Sequence, residues 1–260
     1  MTMRYFQVAA FVGEGLAGNP AGVCLLEKPL ETRQLQGIAA ELNLPETCFV
    51  WEEGEMLALR WFTPGREVDL CGHATLAAAR VIFSEVSPER NELCFRSASG
   101  VVRVTRQDSD RDKLWLDFPS RPAVRIDSPA GFSALLGIKP QEVWQAKALM
   151  AVLENERQVR ELQPAIAALI NHVGQGVIVT APGDRVDFVS RYFSLDRSED
   201  PVTGSAHCTL MPYWQSRLGR DSAVAHQISA RGGELFCQQQ GERTLIGGYA
   251  RLFLRGEILI

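Results

Sequence analysis

The chain has 260 residues, 46% of them apolar and 22% charged, and a formal net charge of −4. That length supports one large core or two moderate ones, and the mild acidity without any Lys/Arg run argues against nucleic acid or an anionic membrane as partner. No stretch approaches the ~18 uninterrupted apolar residues of a membrane span, and Met1–Phe6 lacks the apolar region of a signal peptide. Cys24, Cys48, Cys71, Cys94, Cys208 and Cys237 show no paired spacing, which fits reduced thiols in a cytoplasmic protein rather than disulfides or a structural zinc.

Arg4–Val12 alternates as an opening strand. Gly13, Gly15 and Gly18 then match the glycine spacing of a dinucleotide-binding turn, but Asn19-Pro20 and a strand-like Ala21–Leu26 follow where that motif needs a helix. A hairpin-like loop is the better reading. Glu31–Asn43 is an amphipathic helix with Leu35, Ile38, Ala39 and Leu42 on one face, stopped at Asn43-Leu44-Pro45 because proline disfavours a helical residue before it. Cys48–Trp51 is a strand, so Glu46 falls at a helix-to-strand junction among apolar neighbours. Leu57–Phe62 is another strand. A polar loop leads from it to Cys71-Gly72-His73 and to a helix from Ala74 to Phe83 with almost no polar face, the pattern of a helix buried on all sides. Strands near Leu93–Phe95, Val101–Thr105 and Leu114–Asp117 close the first half.

Pro119–Pro129 carries three prolines and reads as a linker, giving halves of 1–118 and 119–260, with the last strand free to return to the first half. The second half offers a short helix at Gly131–Leu136, a strand at Lys147–Leu153 and a helix over Val159–Ile170 burying Val159, Leu162, Ile166 and Leu169. A strand at Gly176–Thr180 follows, then Arg191–Ser194, an acidic loop to Asp200, and a helix from Gly204-Ser205 to Leu218. Short strands at Tyr249–Leu254 and Glu257–Ile260 end the chain. Arg60-Trp61-Phe62-Thr63 is echoed by Arg191-Tyr192-Phe193-Ser194, with 12 positions from Arg60 to Gly72 and 13 from Arg191 to Gly204. In both places a strand runs through an acidic loop and a glycine turn into an apolar helix, which suggests internal duplication. Helix starts leave backbone N–H groups unpaired and favour a bound anion, so both are candidate carboxylate sites, expected to face one pocket.

Leu42–Thr47, Phe62-Thr63-Pro64, Cys71–Ala74 and Glu199–Ala206, with Gly18–Val23 and Gly247-Gly248, together resemble the phenazine-biosynthesis PhzF-like isomerase family. The likeness spans the whole chain with its motifs in order. It implies an α+β, diaminopimelate epimerase-like fold of two pseudo-repeated halves, each a mostly antiparallel curved sheet around a central helix. It also implies a homodimer without metal or organic cofactor.

Glu46 is the candidate proton carrier. A helix-end carboxylate facing water is the plain alternative, but a buried carboxyl can give as well as take a proton near neutrality, and the resemblance puts the catalytic glutamate here. His73 matches a site histidine of the family, against the alternative of a core histidine bonded at a helix start. Asp200 either caps the turn or orients His73 and substrate. The substrate-binding set implied is Asn19, Cys71, Gly72, Thr203, Gly204 and Ser205, the glycines admitting close approach to the backbone. Diaminopimelate epimerases carry a cysteine before the glycine at both helix starts. Here Cys71 is kept but Thr203 stands in the second half, which disfavours two-thiol racemisation. Cys71 is then either a packed apolar residue or a thiol activated by the helix start. The expected function is a cofactor-independent isomerase acting on a small carboxylate. The alternatives are an epimerase using Glu46 with Cys71, and a non-catalytic small-acid binder.

Overall fold

Strands whose two faces are both apolar demand packing on both sides, and the first strands of this chain are of that kind: β2 (Asn19–Leu25) is buried at nearly every position. The computed structural model describes residues 2–259. Its chain divides into one unit of Met1–Asp117 with Gly247–Ile260, and another of Phe118–Ile246.

In the first unit β1 (Thr2–Val12) precedes β2, followed by α1 (Thr32–Leu42), β3 (Glu46–Glu53), β4 (Met56–Phe62) and β5 (Glu67–Val68). Then come α2 (Gly72–Glu85), β6 (Glu92–Ser97), β7 (Gly100–Gln107) and β8 (Asp110–Pro119). Hairpin neighbours β1–β2, β3–β4, β6–β7 and β7–β8 pair antiparallel. The pairs β2–β3 and β4–β6 are parallel because α1 and α2 cross between their strands. The loop between β1 and β2 is a tight turn with Gly15 and Gly18 at positive φ, and no helix follows it.

The amphipathic α1 lays Leu35 and Ala39 on Met3, Tyr5, Cys24, Phe49 and Phe62. Gln34 Oε1 accepts from the Glu31 N–H at 3.1 Å to start the helix. Asn43, left-handed at φ 48°, ends it. The helix α2 is buried at every residue from Gly72 to Ala79. Its alanines let surrounding strands approach: Cys48 Sγ on β3 reaches the Ala74 carbonyl at 3.5 Å.

The second unit runs β9 (Val124–Ile126), α3 (Phe132–Leu136), β10 (Glu142–Gln145), β11 (Leu149–Val152), α4 (Glu156–Glu161), α5 (Ile166–Val173) and β12 (Val177–Pro182). It continues through β13 (Phe188–Phe193), β14 (Glu199–Asp200), α6 (Gly204–Leu218), β15 (Ser222–Gln227) and β16 (Gly233–Gln240). The last strand, β17 (Arg243–Leu259), carries the chain back and pairs antiparallel with β1 from Tyr249 to Leu259. Pairings β11–β12 and β13–β15 are parallel, while β12–β13, β13–β14 and β15–β16 are antiparallel. That is the order found from β2 to β7. One face of this sheet packs α3, α4 and α5 through Phe132, Val159 and Leu169.

Three expectations need correction. The proline-rich stretch 119–129 is not a bare linker: its Val124–Ile126 pairs with β10, a strand the sequence reading missed. The helix expected over Val159–Ile170 is two, because Pro164 cannot continue a helix and Leu162 is already extended (φ −61°, ψ 127°). The two closing strands are one, with register shifts where Phe11 bulges from β1 at φ 60°; Ile260 lies outside the described residues. Inside α6, Pro212 leaves the Cys208 carbonyl without its helical donor, and the Arg121 N–H supplies one at 2.8 Å.

Candidate active site

Register places the first unit's candidate side chains. Ala21 pairs with Glu46 and Val23 with Cys48, so Asn19, two residues before Ala21, shares the sheet face of Glu46 and Cys48. That is the face toward α2, since Cys48 touches it, whereas the alternate residue Phe49 faces α1. Glu46 opens β3 at the lip of this face with its side chain 20% exposed. At the start of α2, Cys71 is the extended N-cap residue and His73 the second helical one.

These four converge. His73 Nε2 lies 3.1 Å from Glu46 Oε2, and its Nδ1 lies 3.3 Å from the Asn19 amide nitrogen and 3.4 Å from Cys71 Sγ. Both ring nitrogens are thus engaged within the first unit. Burial opposes a charged imidazole, but the negative charge available at Cys71 and Glu46 outweighs it and holds His73 well above the ordinary histidine range. For Cys71 burial comes first and Glu46 second, and both push the thiol up. Of the two readings of Cys71, this favours the packed thiol over one activated by the helix start: at 6% exposure, desolvation and Glu46 outweigh the lowering by His73 and by the backbone hydrogen bond from Ala74.

The helix start of the second unit is built differently. The Thr203 hydroxyl donates to Asp200 Oδ2. Gln227 Oε1 accepts from the Thr203 N–H at 2.8 Å, and its amide nitrogen donates to the Asp200 carbonyl at 2.7 Å. Sequence reading passed over Gln227, which lies on a distant strand with no motif to mark it. Thr203 is the N-cap residue and Ser205 a half-buried residue of the first turn. His207 is fully buried: its Nδ1 faces the Thr203 carbonyl at 2.9 Å, and burial lowers its pKa to about 4. By register, Val177 pairs with Phe193 as Thr47 pairs with Phe62, so the counterpart of Glu46 is Gly176. A Cβ there would lie 2.3 Å from the Tyr192 hydroxyl. The carboxylate, thiol and imidazole of one unit thus become glycine, threonine and serine in the other.

The profile of the phenazine biosynthesis-like proteins, PhzC-PhzF, matches residues 8–256. The chain belongs to that family. Among the family's curated proteins, an uncharacterized isomerase of Pseudomonas aeruginosa is 47% identical over 261 residues, covering 99% of each chain. A crystal structure of a PhzF-family protein from Enterococcus faecalis superposes with a TM-score of 0.95 at 46% identity, covering 100% of both chains. This PhzF-family chain is an enzyme of the isomerase kind. It shares its fold more distantly with a hydroxyproline epimerase of Agrobacterium vitis, at a TM-score of 0.66 and 11% identity over 99% of this chain and 92% of that one. Among the described residues no helix is long and apolar enough to cross a membrane.

Proposed function

We propose that this protein is a cofactor-independent isomerase that moves a proton between two positions of a small carboxylate-bearing metabolite, with Glu46 as the acid and base. The observation that carries the reading is the Glu46–His73 pair at 3.1 Å, reached by solvent only through the 20% exposed side chain of Glu46 and without a counterpart in the second unit. Glu46 takes a proton from one carbon of the substrate and returns it to another, so substrate and product differ only in where that hydrogen and a double bond reside. His73, 3.1 Å from Glu46, orients its carboxylate for that transfer. The first-turn N–H groups of α2 at Gly72 and His73 have no acceptor within the helix and suit the substrate carboxylate. Asn19 fixes the ring of His73. Gly204 and Ser205 offer the same kind of donors, and Asp200 with Thr203 stiffens that helix start. The repeat of pairings and of the Arg-aromatic-Phe strands points to a diaminopimelate epimerase-like fold derived by duplication, and the family reading carries with it a homodimer.

Glu46→Gln should retain ligand binding and lose incorporation of solvent deuterium into substrate. Unchanged exchange in that variant would remove Glu46 from the mechanism. A second reading, epimerisation by Glu46 with Cys71, draws on the presence of the thiol in the same cluster, its sulfur within 4.8 Å of the other groups. It requires that alkylation of Cys71 abolish turnover and that Cys71→Ser do the same, whereas the isomerase tolerates the serine.

A further inference from the structure

An edge strand carries a row of unpaired backbone N–H and C=O groups, a template for another strand unless length, bulges or charges forbid it. The far end of β17 is such an edge. From Leu254 to Leu259 one side of it is taken by β1, running from Gln7 back to Thr2. The other side is covered by β8 only nearer the start of β17. The Ser120 N–H meets the Glu242 carbonyl, Trp115 lies against Gly247, and Lys113 lies against the Tyr249 ring. The two strands are thus antiparallel, and β8, which begins at Asp110, runs out beside Leu252. Beyond that point the strand lies open among the described residues, with Phe253, Leu254 and Leu259 74%, 42% and 81% exposed.

We propose that this free edge, Phe253–Leu259, is where two copies of the chain meet, β17 against β17 in antiparallel pairing about a two-fold axis at Gly256. The pairing uses no atom of Glu46, Cys71 or His73, so it stands apart from the isomerase reading. It names the surface that a homodimer of this chain would use.

The edge is complementary to itself at one register. Directly opposed residues of neighbouring strands point to the same face, so a two-fold axis through such a pair needs one residue to face its own copy. Gly256 is the midpoint of the free span, and an axis there lets each copy use all of it. Arg255 then stands opposite the partner's Glu257, Glu257 opposite the partner's Arg255, and Leu254 opposite the partner's Ile258. Moving the axis by one residue sets Arg255 or Glu257 against its own copy, and like charges directly opposite are destabilising. Moving it to Leu254 drives the partner's Leu259 onto Tyr249, where β8 already lies. Charges that would keep a foreign strand away therefore select a second copy. Phe253 is the extra residue of the bulge between Gln7 and Val8, and it closes the span.

Both faces of the strand suit the pairing. Residues 254, 256 and 258 share the face of Met3 and Tyr5, on which α1 packs. Beside Ile258 on that face an open apolar cleft of about 430 Å³ has Leu30, Ile38 and Leu42 in its walls. The partner's Leu254, opposite Ile258, is delivered to its mouth. On the other face Arg255 is held by Glu85 of α2 at 3.0 Å while its side chain stays 66% exposed, so it enters the pairing already ordered. Glu257 lies across β1 from Arg4, and in the dimer it stands between that arginine and the partner's Arg255. Backbone hydrogen bonds supply the attraction and the side-chain pairs supply the register, as in other strand additions.

The test is the mass of the full chain by sedimentation equilibrium. The wild type should be a dimer. Arg255→Glu sets carboxylate against carboxylate at both crossings and Glu257→Arg sets guanidinium against guanidinium, so each variant should lose the dimer. Mixed in equal amounts, the two variants should associate as a heterodimer, because each crossing again holds one acid and one base. Register is read by cross-linking in a Cys94→Ser background, which removes the one thiol that is not buried. A Cβ at position 256 has only the Leu254 side chain near it, at 3.8 Å. Gly256→Cys should therefore link two chains on oxidation with copper phenanthroline, whereas Leu254→Cys should not. A monomeric wild type overturns the dimer and leaves the edge to a strand of another protein. A dimer that both charge variants retain overturns the surface. Variants that fall apart and do not associate when mixed, or Leu254→Cys chains that link as readily as Gly256→Cys chains, overturn the register.

Discussion

The protein buries two histidines in opposite electrostatic settings, and their pH behaviour has opposite signs. The ring of His207 sits against the Thr203 carbonyl and stacks on Phe188 at 5.9 Å, with burial holding its pKa at about 4. Because the unfolded chain takes the proton first, stability falls as the pH drops from about 6.5 to about 4, by roughly 3 kcal/mol over the window. His207→Gln should flatten that part of the curve, read as urea midpoints at pH 6.5 and 4.5; an equally steep loss in the variant would assign the acid sensitivity elsewhere. His73 is the reverse case. Its folded pKa is raised, so its contribution to stability is fully present below about 6.5 and is lost only as the pH climbs through the folded value. Glu46 supplies part of that stabilising charge beside Cys71, so Glu46→Gln should lower the pKa of His73. Histidine ring NMR shifts of chelator-treated protein would show it. A His73 that stays protonated through neutrality in the variant would mean that the Cys71 sulfur carries the charge.

Among the elements, the strand-and-loop unit preceding each helix start is the part the chain uses twice. On β4, Arg60 grips Glu67 of β5 through two hydrogen bonds at 2.6 and 2.7 Å, with its guanidinium 5.1 Å from the Phe62 ring centre. On β13, Arg191 grips Glu199 of β14 at 2.7 and 2.9 Å, 5.2 Å from Phe193. Each clamp ties down the acidic loop whose far end begins α2 or α6. The two differ in burial. Arg191 is 9% exposed and also donates to the Val159 and Leu162 carbonyls where α4 ends, whereas Arg60 is 26% exposed and reaches the Thr32 hydroxyl. Breaking a buried pair strands a charge and several carbonyls, so Arg191→Ala should cost about 3 kcal/mol and Arg60→Ala about 1 kcal/mol. Equal costs in denaturant titrations would show that burial does not set the difference. The clamps also explain what the sequence disclosed. Arg-aromatic-Phe followed by an acid is a local pattern, and so are the helix start and its apolar run. Gln227 on Thr203, Asn19 on His73 and the Glu46–Cys71–His73 cluster depend on strand register and non-local packing, which no window of sequence contains. Pro164 shows a nearer failure: the apolar spacing of 159–170 continued through it, and only backbone geometry divided the helix.

For the molecule as a whole, the consequential feature is that β17 belongs to both units. Residues up to Ile246 count with the second and those from Gly247 onward with the first. The crossing point carries two glycines because rings occupy the space their side chains would need. A Cβ at Gly247 would lie 2.8 Å from the Trp115 ring and one at Gly248 only 2.4 Å from that of Phe11. Phe11 itself is left-handed at φ 60°, a conformation costly for an aromatic residue that the bulge between β1 and β17 maintains. Beyond the glycines, β17 supplies the second neighbour of β1, whose other neighbour β2 presents Asn19 to His73. Deleting residues 247–260 should therefore act on the first unit. Amide exchange should speed up along Thr2–Val12, the Asn19 contact should loosen, and deuterium incorporation into substrate should fall. The core of the second unit around Val177, Val179, Val189 and Phe193 keeps all its partners, so its slow amides should remain slow. Loss of protection in both units together would show that they unfold as one and that β17 is more than an edge the first unit borrows. Protection unchanged in β1 would show that pairing with β2 alone sustains it.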